Sequence, residues 1–319
     1  MCKKIRNIVI LVLSVLLIHI GFRIVNDQDK LIEDVDNLSY KLFNRYVFKD
    51  TNELNNYDEI IKIASNKDYS NSSFYPYYDL LDNDGKTVYN QLKDTVNNYQ
   101  KSFVPSIDID SNKFKDVFIS FFNDHPEVFW LNIDYNSTIE EINNKEKVVS
   151  VELTYTSVVD TIGDARKLFD ERVAEIVEEA KGKKLDYDKI YFVHNKLIDM
   201  LEFDDNQYVD QSAFGAINQK RAVCVGYTKL FQVIIMKLGI PTYYITGKTG
   251  DEYHTWNLVE LDDGFYNIDL TWDDNKKVIY KYFMINDNSI NKDHTRDELS
   301  SKIKVKNGIK YLNKYSLLN

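Results

Sequence analysis

Disulfide cross-linking has almost no material here: the 319 residues contain two cysteines, Cys2 and Cys224. A cysteine-rich zinc module and a disulfide-stapled scaffold are both excluded. Proline is scarce at four residues and glycine at eleven, which excludes collagen-like, linker-like and low-complexity architectures. Positive charge is the minority sign, with 40 Lys and Arg against 50 Asp and Glu and a net charge of −10. Four of the basic residues, Lys3, Lys4, Arg6 and Arg23, precede the first acid, Asp27, so the rest of the chain is more acidic than the whole. Such a body lacks the clustered Lys and Arg that phosphate contacts need, which excludes nucleic acid as a partner. What remains is 44% hydrophobic and 28% charged, an ordinary globular composition. At roughly 150 residues per domain this length predicts two domains, or one with an appendage.

The N-terminus predicts export or anchoring. Lys3, Lys4 and Arg6 lead into an apolar run from Ile8 to Ile20, extended by Gly21 and Phe22. A basic segment before a short apolar one is the pattern of a secretory signal. No Ala-x-Ala site and no lipid-accepting cysteine follow it, so residues 1–26 read as an uncleaved signal anchor rather than a cleaved signal peptide. With its flanks the run approaches the ~20 residues a bilayer requires. Leading positive charge places the N-terminus inside and the body outside the cytoplasm. The expected location is thus membrane-anchored with an extracytoplasmic body, or secreted. Cys224 is then an unpaired thiol in a non-reducing compartment, a pattern that flags a reactive nucleophile.

Beyond the anchor the chain divides into a small N-terminal α+β region (27–182), a more regular region (183–290) and a C-terminal extension (291–319). Leu31, Val35, Leu38 and Leu42 recur at helical spacing, as do Val88, Leu92, Val96 and Tyr99. Ser70 to Asp84 reads as a loop. Ser111 predicts a cap for a helix carrying Phe114, Val117, Phe118 and Phe121, which Pro126 should end. Val149, Val151, Leu153 and Tyr155 alternate as in a half-buried strand. A charged helix follows over Thr161 to Lys181, with Gly182 as its stop. Then come helices over Tyr187 to Leu201 and Val223 to Leu238, the second ended by Gly239 and Pro241. Three strand-like runs complete the pattern: Thr242 to Thr246, Tyr253 to Leu261, and Phe265 to Leu270. Leu261-Asp262-Asp263-Gly264 reads as a hairpin turn.

Three residues in this region concentrate the chemistry. Cys224 opens a helix, where the macrodipole and free amides stabilise a thiolate and can bind an oxyanion. Gly226 leaves room for another chain or a substrate to approach. His254 starts one strand and Asp269 ends the next. With Leu261 opposite Gly264, register pairs Trp256 with Asp269, which puts His254 and Asp269 on one face as diagonal neighbours. A carboxylate beside a histidine sets its tautomer, and a histidine beside a thiol makes the ion pair that attacks an amide.

The segments Val223-Cys224-Val225-Gly226-Tyr227, His254-Thr255-Trp256-Asn257 and Asp269-Leu270-Thr271-Trp272 resemble the three motifs of the transglutaminase-like superfamily, over roughly residues 185 to 290. The stretch from Asp124 to Trp130 is more loosely similar to the N-terminal part of bacterial proteins that carry this domain. The resemblance implies a cysteine-protease-like α+β core, with the Cys helix packed on an antiparallel sheet, and no cofactor or metal. It implies Cys224 as nucleophile through a thioester, His254 as general base and then general acid, and Asp269 as the group that orients His254. Tyr227, Trp256 and Trp272 are expected to line the acyl groove. The second oxyanion donor stays open, with Gln211 and Gln219 both upstream. Proteases, amidases and members without the triad share the family, so the reaction does not follow from membership.

The implied function is extracytoplasmic thiol chemistry on an amide bond of a protein or peptide, in a cell-wall setting, with water or an amine as acceptor. The alternative is a non-catalytic scaffold or binding module at the envelope. The remaining histidines read as structural: His194 on a helix, His125 in a turn, His294 in a polar loop. Asp108, Asp110 and Asn112 resemble a calcium loop, but Lys113 stands where such a loop needs glycine.

Overall fold

The computed structural model describes residues 74–142, 144–205, 210–274 and 278–312. The expected anchor at 1–26 and the helix through Leu31 to Leu42 lie outside the described residues. Among the described residues no helix is long and apolar enough to cross a membrane. The first elements are α1 (Pro76–Leu80) and α2 (Asn83–Asn97). Proline at the first helical position lets α1 form inside the stretch expected to be a loop. Asp82 caps α2 by accepting from Gly85 N at 2.8 Å. After β1 (Ser102–Phe103) comes α3 (Ser111–Asp124). Its cap is Asp110, which accepts from Lys113 N at 2.9 Å, one residue before the expected Ser111. Asp108 meanwhile pairs with Lys147 at 2.5 Å. The helix ends before Pro126, as expected.

Two long strands follow, β2 (Leu131–Ile142) and β3 (Lys145–Tyr155), with β1 on the far side of β3. The sequence predicted β3 and missed β2. Leu131, Ile133 and Tyr135 alternate with polar residues at strand spacing, but most of β2 is exposed. A 3₁₀ turn leads into α4 (Ile162–Lys181), and α5 (Asp186–Met200) comes next. Then β4 (Glu202–Phe203), α6 (Ala213–Gln219) and β5 (Arg221–Ala222) bring the chain to α7 (Cys224–Lys237). The second sheet is antiparallel, in the order β8-β7-β6-β9. It consists of β6 (Thr242–Thr249), β7 (Glu252–Leu261), β8 (Gly264–Ile268) and β9 (His294–Arg296). Short helices α8 (Leu270–Asp273), α9 (Asp287–Ile290) and α10 (Glu298–Ser301) complete the structure.

Helix α7 packs on β6 and β7, and polar cross-links fix its position. Thr228 Oγ1 donates to Thr255 O at 3.1 Å, and Asn257 Nδ2 donates to Thr228 O at 3.1 Å. Gly226 serves this packing rather than substrate approach: a Cβ there would lie 2.8 Å from Ala222 Cβ and 3.3 Å from Ala216 Cβ. The sheet's core joins Tyr243, Ile245, Trp256 and Leu258 to Tyr77, Ile290 and Leu299. Tyr77 OH also donates to Tyr244 O at 2.5 Å. Among the described residues the sheet's core therefore draws on side chains from both sides of the expected boundary at 182/183. Within the expected C-terminal extension, β9 pairs with β6, Arg296 opposite Gly247. Gly247 is required there: a Cβ would meet Thr295 O at 2.2 Å and the Trp256 ring at 2.8 Å.

Lys229 is an unusual core residue, only 4% exposed. Its ammonium lies 3.3 Å from the centroid of the Phe122 ring. Burial pushes the amine down to about 7, against the upward pull of Glu127 and Asp210. The folded chain thus releases this proton near pH 7 and the unfolded chain near 10.5. Between those values the unfolded chain binds more protons, so the native state gains stability as pH rises. Lys229→Met is expected to stabilise the protein by on the order of 1 kcal/mol below pH 7, with the gain fading toward pH 10.5, read from urea unfolding at several pH values. Gly226→Ala is expected to cost about 1–3 kcal/mol in the same assay, because the α7 contact with Ala222 has no slack.

Candidate functional site

The hairpin between β7 and β8 sets the site. Its register runs from Leu261 opposite Gly264 to Asn257 opposite Ile268, as the turn predicted. The strand then stops one residue short of Asp269, which becomes the cap of α8. Its two oxygens take different roles. Oδ1 accepts from Trp272 N at 3.1 Å and starts the helix. Oδ2 accepts from His254 Nε2 at 2.7 Å. Thr271 and Trp272 are therefore helical, and His254 has no cross-strand partner at Thr271.

Cys224, the first residue of α7, is half-buried and feels the electrostatic influence of His254 and Thr255. Because Asp269 occupies Nε2 of His254, Nδ1 is the nitrogen left for the thiol. The electrostatics agree with that arrangement. Burial pushes the Cys224 thiol up, but the hydrogen bond and charge of His254, with Thr255, outweigh it and hold the thiol below its ordinary value. Burial pushes His254 down, but hydrogen bonds to Asp269 and Cys224 outweigh it and raise the ring to about 10. Burial pushes Asp269 up, but donation from His254 and His294 keeps it below the carboxylate range. A thiolate facing an imidazolium is the favoured state between the thiol's lowered value and about pH 10.

The structure thus hydrogen-bonds His254 to Asp269 and places Cys224 within electrostatic reach of His254. The three aromatic residues expected in a groove fare differently. Tyr227 is buried, with its hydroxyl donated to Asp274 Oδ2 at 2.6 Å. Trp256 is 1% exposed, with Nε1 donated to Asn267 Oδ1 at 3.0 Å. Both are core residues, each ring buried and its polar tip hydrogen-bonded. Trp272 is half-buried, its ring 5.8 Å from that of His254. Tyr253, next to His254, is 86% exposed. Gln211 and Gln219 are both exposed, and no described hydrogen bond joins either to Cys224.

Sequence reasoning missed His294. Expected in a polar loop, it is buried on β9, with Nε2 3.0 Å from Asp269 Oδ2 and Nδ1 2.7 Å from Asp293 Oδ1. No periodicity marks a strand of three residues. Among the described residues, His254, Asp269 and His294 are the group whose ligand atoms lie close enough to hold a cation, all within 4.8 Å. Their contacts at 2.7 and 3.0 Å are hydrogen-bond lengths, so shared protons account for the geometry. The other two described histidines are structural. His194 pairs with Asp273 at 3.2 Å in full burial, and His125 caps α3 with Nδ1 2.8 Å from Glu127.

Alkylation of Cys224 by iodoacetamide is expected to persist well below the ordinary thiol range of about 8.5, and the low-pH reactivity should vanish in His254→Ala. Stability follows a related course. The raised value of His254 means that its contribution is complete below its ordinary 6.5 and is lost as pH rises through about 10, which a pH series of thermal unfolding checks against His254→Ala.

The family model for the transglutaminase-like superfamily matches residues 172–270, from within α4 to the first residue of α8. No curated protein sequence matches the chain. Two solved structures match part of the chain. A crystal structure of a TGase is 18% identical over 53% of this chain and 50% of that one, with a TM-score of 0.31. The chain thus spans about half the length of that protein. A protein described as a "Putative Cysteine Protease" from Cytophaga hutchinsonii is 15% identical over 56% of this chain and 72% of that one, with a TM-score of 0.32. Residues 172–270 of this chain carry a transglutaminase-like superfamily domain.

Proposed function

We propose that this protein is a thiol enzyme acting on amide bonds. The observation that carries the reading is the 2.7 Å hydrogen bond between His254 and Asp269 beside a thiol at the start of a helix, whose proton affinity His254 lowers. The thiolate sulfur attacks the amide carbonyl carbon, and the π electrons move onto oxygen. Amides at the N-terminus of α7 are suited to stabilise that oxyanion. Collapse breaks the C–N bond, and His254 gives its proton to the departing amine, leaving a thioester on Cys224. Water or an incoming amine then attacks the thioester, His254 accepts its proton, and the thiolate leaves. Asp269 holds the ring turned for both transfers and stabilises its cationic form.

We further propose that the substrate is a protein or peptide outside the cytoplasm, reached by a body held at the membrane through residues 1–26. Support for that location is the basic-then-apolar pattern alone. The acidic body favours neutral or cationic substrates over polyanions.

The test is turnover of glutamine-containing peptides by the full chain, with and without a primary amine. Parent protein is expected to release ammonia, and mass spectrometry should show a thioester on Cys224. Cys224→Ala should reduce turnover by at least 10³-fold, on the order seen when a nucleophile is removed. Unchanged turnover in that variant would sink the proposal. A slow, ordinary thiol in the parent would favour the envelope scaffold instead.

A further inference from the structure

His294 faces a carboxylate on each side. Its Nε2 lies 3.0 Å from Asp269 Oδ2 and its Nδ1 2.7 Å from Asp293 Oδ1. Neutral imidazole has one N–H and one lone pair, and an ionised carboxylate only accepts. Both nitrogens must therefore donate, which makes the ring a cation while both carboxylates are ionised. Each carboxylate is held in that state. Burial pushes Asp293 up, but Tyr282 and His294 outweigh it and keep it low, as His254 and His294 do for Asp269.

The groups facing His294 come from several elements. Asp293 precedes it, Asp269 joins β8 to α8, and His254 stands on β7 with its ring 5.4 Å away. Tyr282 packs at 5.4 Å and donates its hydroxyl to Asp293 Oδ2 at 2.7 Å, while the Lys281 ammonium is 3.8 Å from the same oxygen. Trp272 and Trp256 wall the ring at 4.6 and 5.1 Å. Charge therefore alternates inward from the surface: Lys281, Asp293, His294, Asp269, His254, Cys224. His294 does for Asp269 what Asp269 does for His254.

We propose that His294 is a positioning residue for the thiol chemistry, a buried cation between Asp293 and Asp269 that holds Asp269 ionised and turned toward His254. This rests on the proposed reaction at Cys224. Without His294, the buried Asp269 loses one of its three described donors and its neighbouring positive charge. Its proton affinity rises, and as pH falls it is neutralised earlier. His254 then loses its acceptor, and Cys224 loses its imidazolium.

The experiment is the pH profile of Cys224 alkylation by iodoacetamide in the full chain, for the parent and for His294→Leu, His294→Gln, Asp269→Asn and His254→Ala. His294→Leu is expected to move the acid limb up by about one pH unit, a roughly tenfold loss of rate at fixed pH on that limb. His294→Gln, which keeps an N–H toward Asp269, should shift it less. An unmoved limb in folded His294→Leu overturns the proposal when Asp269→Asn and His254→Ala do shift it. If those two variants also leave the profile unmoved, the reading of Cys224, His254 and Asp269 fails instead. Should His294→Leu not fold, imidazole nitrogen NMR of the parent decides: two protonated nitrogens on His294 at neutral pH support the proposal, and a bare nitrogen overturns it.

Discussion

Asp269 is the group on which the site depends. A carboxylate that is 1% exposed is costly unless donors replace its lost water. Three described donors do so here: the Trp272 amide on one oxygen, and His254 and His294 on the other. The same compensation that makes burial tolerable also orients the carboxylate. Because the first oxygen is committed to the start of α8, the second has little freedom to turn away from the histidines. Capping and chemistry are thus one arrangement, and neither can change without the other.

The thiol must meet this carboxylate–histidine pair from a different element. Its placement comes from the packing of α7 on the second sheet, fixed by Thr228, Thr255 and Asn257. Gly226 brings α7 against Ala216 and Ala222, and Gly247 lets the Trp256 ring lie flat where β6 meets β9. These close approaches have no tolerance for a methyl group. The result is a stiff frame around a short, charged chain of hydrogen bonds, which suits preorganised proton transfer.

The family match ends at residue 270, and the structure does not. Tyr77, Ile290 and Leu299 complete the core beneath the sheet, and His294 reaches Asp269 from beyond the matched segment. The helices before residue 182 are tied in by polar contacts as well. Gln232 Nε2 donates to Asn123 O at 3.1 Å, and the buried Asp124 accepts from Tyr77 N, Tyr78 N and Tyr89 OH. A domain cut at the family boundaries would lose part of its own core and one side of its carboxylate.

The local signals in the chain determined a good deal. Apolar spacing located α2 and α3, and helical or strand-like runs bounded by stop and turn signals located α4, α5, α7 and the three principal strands of the second sheet. The turn at Leu261 to Gly264 set the register that brings His254 to Asp269, since a two-residue connection leaves one alignment of the strands. Cys224 at the head of α7 was legible for the same reason, a helix start being a local event. Only the tertiary structure decided the rest. β9 is too short for any pattern. Whether Tyr227 and Trp256 face a groove or the core depends on what packs against them from distant segments. The role of His294 depends on β9 pairing with β6, a contact between residues about fifty positions apart that no local preference encodes.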